Sequence, residues 1–379
     1  MKALVLGVGR MGTAIAYAMD KFGFHVVGMD TNPAAADNIP KKTNLADGKT
    51  PNNEFFIVKD AEDICKGIEG QEKPDIVISS LPYHQTETVG KWCVDNGVRY
   101  CDLGGRVDVS QNINKYAEEK ATKPVFTDLG LAPGWVNILA EHGYKQMHGE
   151  QVESVRMMVG GLPTERKNPP LNYTTTWSVD GLINEYKDSC EILHDGKISV
   201  VPGMEGWEVF NGGPQLGPLE AFYTSGGASH TIKTMHERGV KHCYYKTIRY
   251  EGHRNIIKFL IENSSEECLK ELLKNGCTPS EKDVDIVLVK TLVQTKELSW
   301  DKDLYVLGDQ QQDEPRFSAM QKATAFPIAS VAKIMAEGKL EGDHEQHRDY
   351  WTQYPKSLSY SYVPYKEFDL NLRDLGINV

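Results

Sequence analysis

The segment GVGRMG, Gly7 to Gly12, stands between an apolar run, KALVLG, and a stretch of helix formers, RMGTAIAYAMDKFG. Glycines at this spacing, after a strand and before a helix, make a phosphate cradle. Gly7 supplies the tight turn, Gly9 lets the backbone approach a pyrophosphate, and Gly12 lets helix and strand pack closely. Arg10 and Met11 fill the intervening positions at the helix start, where N–H groups and the positive dipole end face the phosphates. The next apolar run, HVVGMD, closes on Asp30, a carboxylate about 20 residues on that can accept the ribose hydroxyls. Thr31 and Asn32 follow, with no Arg beside them to meet a 2′-phosphate. The chemistry is dinucleotide binding and hence hydride transfer, with NAD favoured over NADP.

Other candidate residues fall at the ends of later apolar runs. DIVISSLPYHQTE carries Ser80, Leu81 and Pro82 past such an end. In a doubly wound sheet the carboxyl ends of the strands line the ligand crevice, so these residues suit a loop passing beneath the dinucleotide. Tyr83 and His84 then project toward the nicotinamide end, unless His84 merely opens the following helix in solvent. YCDLGGR ends in Asp102 and Leu103, and VFTDLGLAPG ends in Asp128. A carboxylate there either caps the following loop or takes a proton. Asp102 reads as a cap with a place beside the cofactor, and Asp128 stays open between the two roles. In GLAPGWVNILAEHG, residues 130–143, the glycines let the backbone turn close to a ligand before a helix begins near Trp135.

These groups need elements to position them. KALVLG, HVVGMD, FFIV, DIVISS, VRYCD and PVFTD alternate with helical stretches such as QTETVGKWCVDNG and SQNINKYAEEKA. Continuous apolar strands between helices predict a buried parallel sheet, an α/β domain of the Rossmann-type doubly wound class. Beyond residue 150 the runs ESVRMMVGG, LNYTTTW, CEILHDGKISVVP, LEAFYT and CYYKTIRYEG are richer in Tyr and Thr and partly alternate. With Asp195-Gly196 as a hairpin turn and helices RNIIKFLIEN and EECLKELLKNG, they predict an α+β domain with a mainly antiparallel sheet. AMQKATAFPIASVAKIMAEGK is one long helical segment interrupted by Pro327.

Composition narrows the partners. A chain of 379 residues is too long for one small core. Its net charge of -11, 42 basic against 53 acidic residues, disfavours nucleic acid, whose affinity comes from neutralised phosphates. No apolar run approaches the ~20 residues that span a bilayer, so no membrane partner is expected. MKALVLG reads as a first strand and not as a secretory signal. Seven scattered cysteines without a CxxC pair fit reduced thiols in a cytoplasmic enzyme. Neither a disulfide framework nor a metal is expected.

Together these features resemble the saccharopine dehydrogenase-like family, and within it the lysine 6-dehydrogenases. The resemblance covers nearly the whole chain and is carried by GVGRMG, YHQTETVGKWCVDNGVRYCDLGG, DLGLAPGWVNIL, VGGLP, NPPLNYTTTWSVDGLINEY, LEAFYTSGG, YKTIRYEGH and AMQKATAF. It implies a split Rossmann domain, residues 1–130 and 318–379, around an inserted substrate-binding and oligomerisation domain, residues 131–317. It also implies a homo-oligomer, a dimer or higher. One departure bears on oligomer size: LYVLGDQQQDEPRFS, between Leu304 and Ser318, is shorter than the family's two-strand hairpin.

The reaction implied is NAD-dependent oxidative deamination of the ε-amino group of L-lysine, giving 2-aminoadipate 6-semialdehyde, which cyclises to a piperideine carboxylate. Such a reaction needs a base, for which Asp128, His84 and His253 are the candidates. It also needs a fixed cation for the amino acid's carboxylate, and Arg249 in YKTIRYEGH can meet it in bidentate fashion. Glu220 and Thr224, in a glycine-bearing loop after a run, join Tyr83 as candidate substrate contacts. Two alternatives stand. A saccharopine-type enzyme making or cleaving a secondary amine would want more cations than Arg249, Arg106 and Lys246. A non-catalytic NAD-binding paralogue would bind without turnover.

Overall fold

The computed structural model describes residues 1–41, 52–70, 72–280, 282–310, 315–341 and 357–377. The chain divides into two compact units, Met1–Trp135 with Thr324–Val379, and Val136–Ala323.

The first unit begins with β1 (Lys2–Leu6), α1 (Arg10–Lys21), β2 (His25–Asp30), β3 (Glu54–Ile57), α2 (Ala61–Glu69) and β4 (Ile76–Ser79). It continues with α3 (Tyr83–Asp95), β5 (Tyr100–Asp102), α4 (Val107–Lys120) and β6 (Val125–Phe126). The sheet order is β3-β2-β1-β4-β5-β6, and every neighbouring pair is parallel. All four residues of β4 are buried, as are Ala3 to Leu6 of β1. Burial on both faces is why these strands read as unbroken apolar runs. Leu4, Val27, Val77 and Tyr100 of the sheet pack with Ile64, Val89 and Ile113 of the helices. Truncating a buried isoleucine such as Ile113 to alanine costs about 2–5 kcal/mol. Strand order reverses between β1 and β4, the switch point beside which such sheets bind ligands.

The second unit opens along α5 (Trp135–Lys145) and holds β7 (Ser154–Pro163), α6 (Val179–Lys187), β8 (Cys190–His194), β9 (Lys197–Val201), β10 (Glu208–Asn211) and β11 (Pro218–Tyr223). Then come α7 (Thr231–Glu237), β12 (His242–Tyr250), α8 (His253–Asn263), α9 (Glu266–Gly276), β13 (Asp285–Gln294) and β14 (Ser299–Leu307). The main path is β10-β11-β12-β7-β13-β14, with β8 attached to β12 and β9 to β8. The sheet is mixed, because β12 and β7 run parallel while the other pairs run antiparallel. Asp195 and Gly196 both have positive φ, 47° and 73°, as a two-residue hairpin turn requires. Leu182, Ile183 and Tyr186 of α6 pack with Ile257, Leu269 and Leu273 against Phe222.

The chain returns to the first unit along α10 (Ala319–Glu337), which contains Pro327, and ends in α11 (Tyr365–Asp374). Asn371 Nδ2 donates to Ser330 Oγ at 3.2 Å, and Ser330 Oγ to Phe368 O at 3.3 Å, tying these helices together.

Two sequence expectations change, at LNYTTTW and at GLAPG. LNYTTTW is not a strand: Thr175 N donates to Cys277 O at 2.7 Å, so its backbone pairs with a loop beyond α9. The segment between Leu304 and Ser318, short for the family's hairpin, holds the end of β14, and its residues 311–314 fall outside the described ones. The glycines of GLAPG serve the chain's own closure: Trp135 N donates to Gly130 O, and a Cβ on Gly134 (φ 131°) would stand 2.2 Å from that same oxygen.

Candidate active site

At the switch point of the first unit, backbone bonds from Gly7 N to Met29 O and from Ser80 N to Leu6 O, each 2.8 Å, hold the glycine loop to the sheet. The three glycines then separate by physical cause. A Cβ on Gly7 (φ 78°) would meet Ser80 O at 2.8 Å, and one on Gly12 would meet Gly7 O at 1.8 Å. Those two are demanded by the protein's own packing. A Cβ on Gly9 would meet nothing within 4 Å, so a ligand in that space is the reason for a glycine there. Gly9 is also the N-cap of α1, with no side-chain cap and no acidic residue in the first turn to compete with an anion.

Asp30 docks on the same loop. Its Oδ2 accepts from Val8 N at 2.7 Å and its Oδ1 from Asn32 N at 2.8 Å. Each oxygen keeps a further lone pair for a ribose hydroxyl. Thr31, next in sequence, is exposed, as is Arg10 at the start of α1, and Met11 is half-buried in that first turn. From β4, Ser80 and half-buried Leu81 border Gly7, and Pro82 caps α3. This cradle fits a dinucleotide.

Two carboxylates lie at the ends of β5 and β6. Asp102 Oδ1 accepts from Gly104 N at 2.8 Å and from Asp128 N at 3.0 Å, so it caps its own turn and fixes the neighbouring one. Asp128 has φ 63°, accepts from Ser110 Oγ at 2.6 Å through Oδ1, and its carbonyl accepts from Tyr360 OH at 2.8 Å. Leu103 is half-buried between them in sequence. Tyr83 and His84 are exposed at the start of α3, and the Arg106 guanidinium lies 5.5 Å over the Tyr83 ring.

Burial first, and the charge of Asp128 second, push the Asp102 carboxyl from 3.8 up to about 7. Its Oδ2 is buried beside the Tyr100 hydroxyl, which in turn neighbours Ser79 Oγ. A protonated Oδ2 offers this group a donor. An acid raised in the fold stabilises it fully below its unfolded value and loses that contribution as pH rises through the folded one. From 3.8 to about 7 the swing is on the order of 4 kcal/mol. Asp102→Asn keeps one acceptor and adds a donor. Urea unfolding should find it more stable than the parent at pH 8 and similar at pH 4. A gain from Asp102→Asn no larger at pH 8 than at pH 4 would contradict this.

In the second unit, Arg249 is 4% exposed. Nε donates to Tyr186 OH at 2.8 Å, Nη1 donates to Ile248 O at 2.9 Å, and the guanidinium lies 4.9 Å over the Tyr173 ring. Among the described residues no carboxylate forms an ion pair with it. Tyr186 OH in turn donates to His253 Nε2 at 3.1 Å, because His253 Nδ1–H is committed to Leu171 O at 3.0 Å. Burial, joined by the Arg249 charge, depresses His253 to about 3. Thr224 Oγ1 and Thr247 Oγ1 share a 2.7 Å hydrogen bond.

Two sequence candidates are corrected by this geometry. His253 is a neutral, doubly bonded imidazole that orients Tyr186 and hence Arg249, so it does not serve as a base near neutral pH. Glu220 is 1% exposed, its Oε2 accepting from Trp207 Nε1 at 2.9 Å and its Oε1 from Arg254 N at 2.6 Å. It caps α8 and braces Trp207, and its burial withdraws it from a substrate. One residue emerges that the sequence did not single out. Glu185, next to Tyr186 on α6, is raised by burial to about 7, with Arg249 pulling the other way. No local spacing marks it, because its relation to Arg249 exists only once α6 packs on β12.

Relatives agree with this architecture. The family description Saccharopine dehydrogenase C-terminal domain matches residues 130–347, and Saccharopine dehydrogenase NADP binding domain matches residues 3–126. The mitochondrial alpha-aminoadipic semialdehyde synthase of Rattus norvegicus is 31% identical over 135 residues, 35% of this chain and 14% of that protein. The saccharopine dehydrogenase (NADP(+), L-glutamate-forming) of Schizosaccharomyces pombe is 27% identical over 156 residues, 40% of this chain and 34% of that protein. The chain thus spans about a third or less of the length of these curated relatives. The apo saccharopine dehydrogenase (L-Glu forming) from Saccharomyces cerevisiae shares the fold, with a TM-score of 0.69 at 16% identity over 99% of this chain and 98% of that one. The amino-terminal unit is a pyridine-nucleotide-binding domain, and the chain belongs to the saccharopine dehydrogenase family.

Proposed function

We propose that this protein is a pyridine-nucleotide-linked dehydrogenase acting on a lysine-derived amino acid. Within that class, we propose NAD-dependent oxidative deamination of the ε-amino group of L-lysine. The observation that carries this reading is Arg249, a buried guanidinium with no ion-paired carboxylate among the described residues. Holding such a charge away from water is costly unless an anion meets it. An amino acid's carboxylate supplies that anion in bidentate geometry. Lys246, buried on the same strand, is already paired with Glu208. One available guanidinium suits a substrate with one carboxylate better than saccharopine, which carries three.

The nicotinamide, when bound, accepts the hydride from the ε-carbon of lysine. The protein's own groups do the rest. Glu185, poised near 7, takes the ammonium proton, with Asp128 as the alternative acceptor. Loss of hydride and proton leaves a carbon–nitrogen double bond. Water adds to it, ammonia leaves, and the semialdehyde remains and cyclises with loss of water. Asp30 supports NAD, since its carboxylate at the end of β2 favours ribose hydroxyls and opposes a 2′-phosphate. Like charges set against each other cost several kcal/mol.

The printed names of the relatives favour a second reading, NADP-linked cleavage or formation of saccharopine. Initial rates with L-lysine and with saccharopine, each under NAD and under NADP, separate the two. Lysine with NAD should be the most active pair, and NAD should exceed NADP in kcat/KM by at least about tenfold. Highest activity with saccharopine and NADP would replace the proposal with its rival. Homo-oligomerisation and a cytoplasmic location belong to the same proposal; among the described residues no helix is long and apolar enough to cross a membrane.

A further inference from the structure

The β8–β9 hairpin carries a cluster that the proposed reaction does not use. His194 closes β8, Asp195 begins the turn, and His242 opens β12. His194 Nε2 lies 3.5 Å from Asp195 Oδ2, and His242 Nε2 lies 3.5 Å from Asp195 Oδ1. The two imidazole centroids are 5.3 Å apart. One donor atom from each residue falls within 4.8 Å of the others. Two ligands held 2.0–2.2 Å from a tetrahedral ion stand about 3.3–3.6 Å apart. Each histidine therefore stands an edge length from one of the two Asp195 oxygens.

We propose that His194, Asp195 and His242 bind one divalent transition-metal ion, with water completing the coordination. Two imidazoles and a carboxylate are the donor set of borderline ions, and zinc suits it without a demand for a particular d-electron geometry. The side chains are 67%, 75% and 36% exposed in that order, so an ion reaches them without rearrangement. Lys241, next to His242, is paired with Glu153 at 2.9 Å, and Glu153 also lies within electrostatic reach of His242. His242 stands far from the adjacent His194 and Asp195 in sequence, which is why no metal-binding spacing is visible there.

The site acts as a clip. β8 meets β12 through one register pair, Leu193 with Cys243, and the turn adds Gly196 N donating to Lys241 O at 2.9 Å. An ion across His194, Asp195 and His242 adds a further tie between the hairpin and the strand that carries Arg249.

The test uses full-length protein without a histidine tag, stripped by chelator and titrated with ZnCl2 by calorimetry. Thermal unfolding is recorded with and without the ion, and CoCl2 substitutes for a visible spectrum. One ion should bind per chain, raise the unfolding midpoint, and give cobalt bands without thiolate charge transfer. A His194→Gln, His242→Gln double variant, altered only at the surface, should lose the midpoint gain. It should also lose at least the 10–100-fold in affinity that removing a mere outer-shell partner costs. Absence of binding, unchanged affinity in the double variant, or a thiolate band pointing to exposed Cys268 would overturn the proposal.

Discussion

Arg249→Met should raise the KM for the amino-acid substrate by about 100- to 1,000-fold and leave nucleotide affinity unchanged. Truncating one member of a buried, hydrogen-bonded charge pair costs about 2–5 kcal/mol, and the lost partner here is the substrate's carboxylate. The split between the two ligands is expected because Arg249 lies on β12 of the second unit while the glycine loop lies in the first. Methionine keeps much of the stem that packs under Tyr173 but frees Tyr186 OH and Ile248 O from their donor. Arg249→Lys separates charge from shape. It keeps a cation and loses the planar fork, so its KM should fall between parent and Met. An unchanged KM in both variants, with a lowered unfolding midpoint, would make Arg249 a structural residue.

Substitutions in the glycine loop should divide into two phenotypes. Gly12→Ala should destabilise the protein strongly, since its Cβ would sit 1.8 Å from the carbonyl oxygen of Gly7, and backbone cannot give way as a flexible side chain can. Overpacking of this kind costs 1–3 kcal/mol or more. Gly9→Val should unfold at nearly the parent's midpoint, because nothing lies within 4 Å of the added carbon. It should nevertheless lose nucleotide binding. A ligand at 100 times its Kd stabilises the fold by about 2.7 kcal/mol, so NAD should shift the midpoint of the parent and not that of Gly9→Val. An NAD shift retained in Gly9→Val would mean that the pyrophosphate lies elsewhere.

The two halves of the candidate site differ in how far the sequence reveals them. The cradle is local: glycine spacing, the strand before it, the helix after it and the carboxylate closing β2 lie within the first thirty or so residues. The strand ends at Ser80, Asp102 and Asp128 are also legible, because unbroken apolar runs mark where each strand stops. The bond from Asp128 N to the Asp102 carboxylate is not, since it joins separate strands. The chain from Arg249 through Tyr186 and His253 to Leu171 is longer still in sequence. No periodicity tells a histidine that opens a helix in solvent from one that locks a buried tyrosine. Glu220 shows the same limit: a carboxylate beside a glycine-bearing loop looks available until Trp207 and Arg254 are seen to occupy it. β13 and β14 differ again, for DIVLVKTLVQ and SWDKDLYVL carry open strand patterns, one nearly continuous and one alternating.

The central claim is that this family member removes nitrogen from a primary amine. Its most direct test is the product balance of the purified protein with L-lysine and NAD. NADH is followed by absorbance, and ammonia is assayed in the same samples. The account predicts NADH and ammonia appearing in equal amounts, both dependent on lysine. No NADH from lysine at any pH from neutral to alkaline, or NADH formed without ammonia, would contradict it.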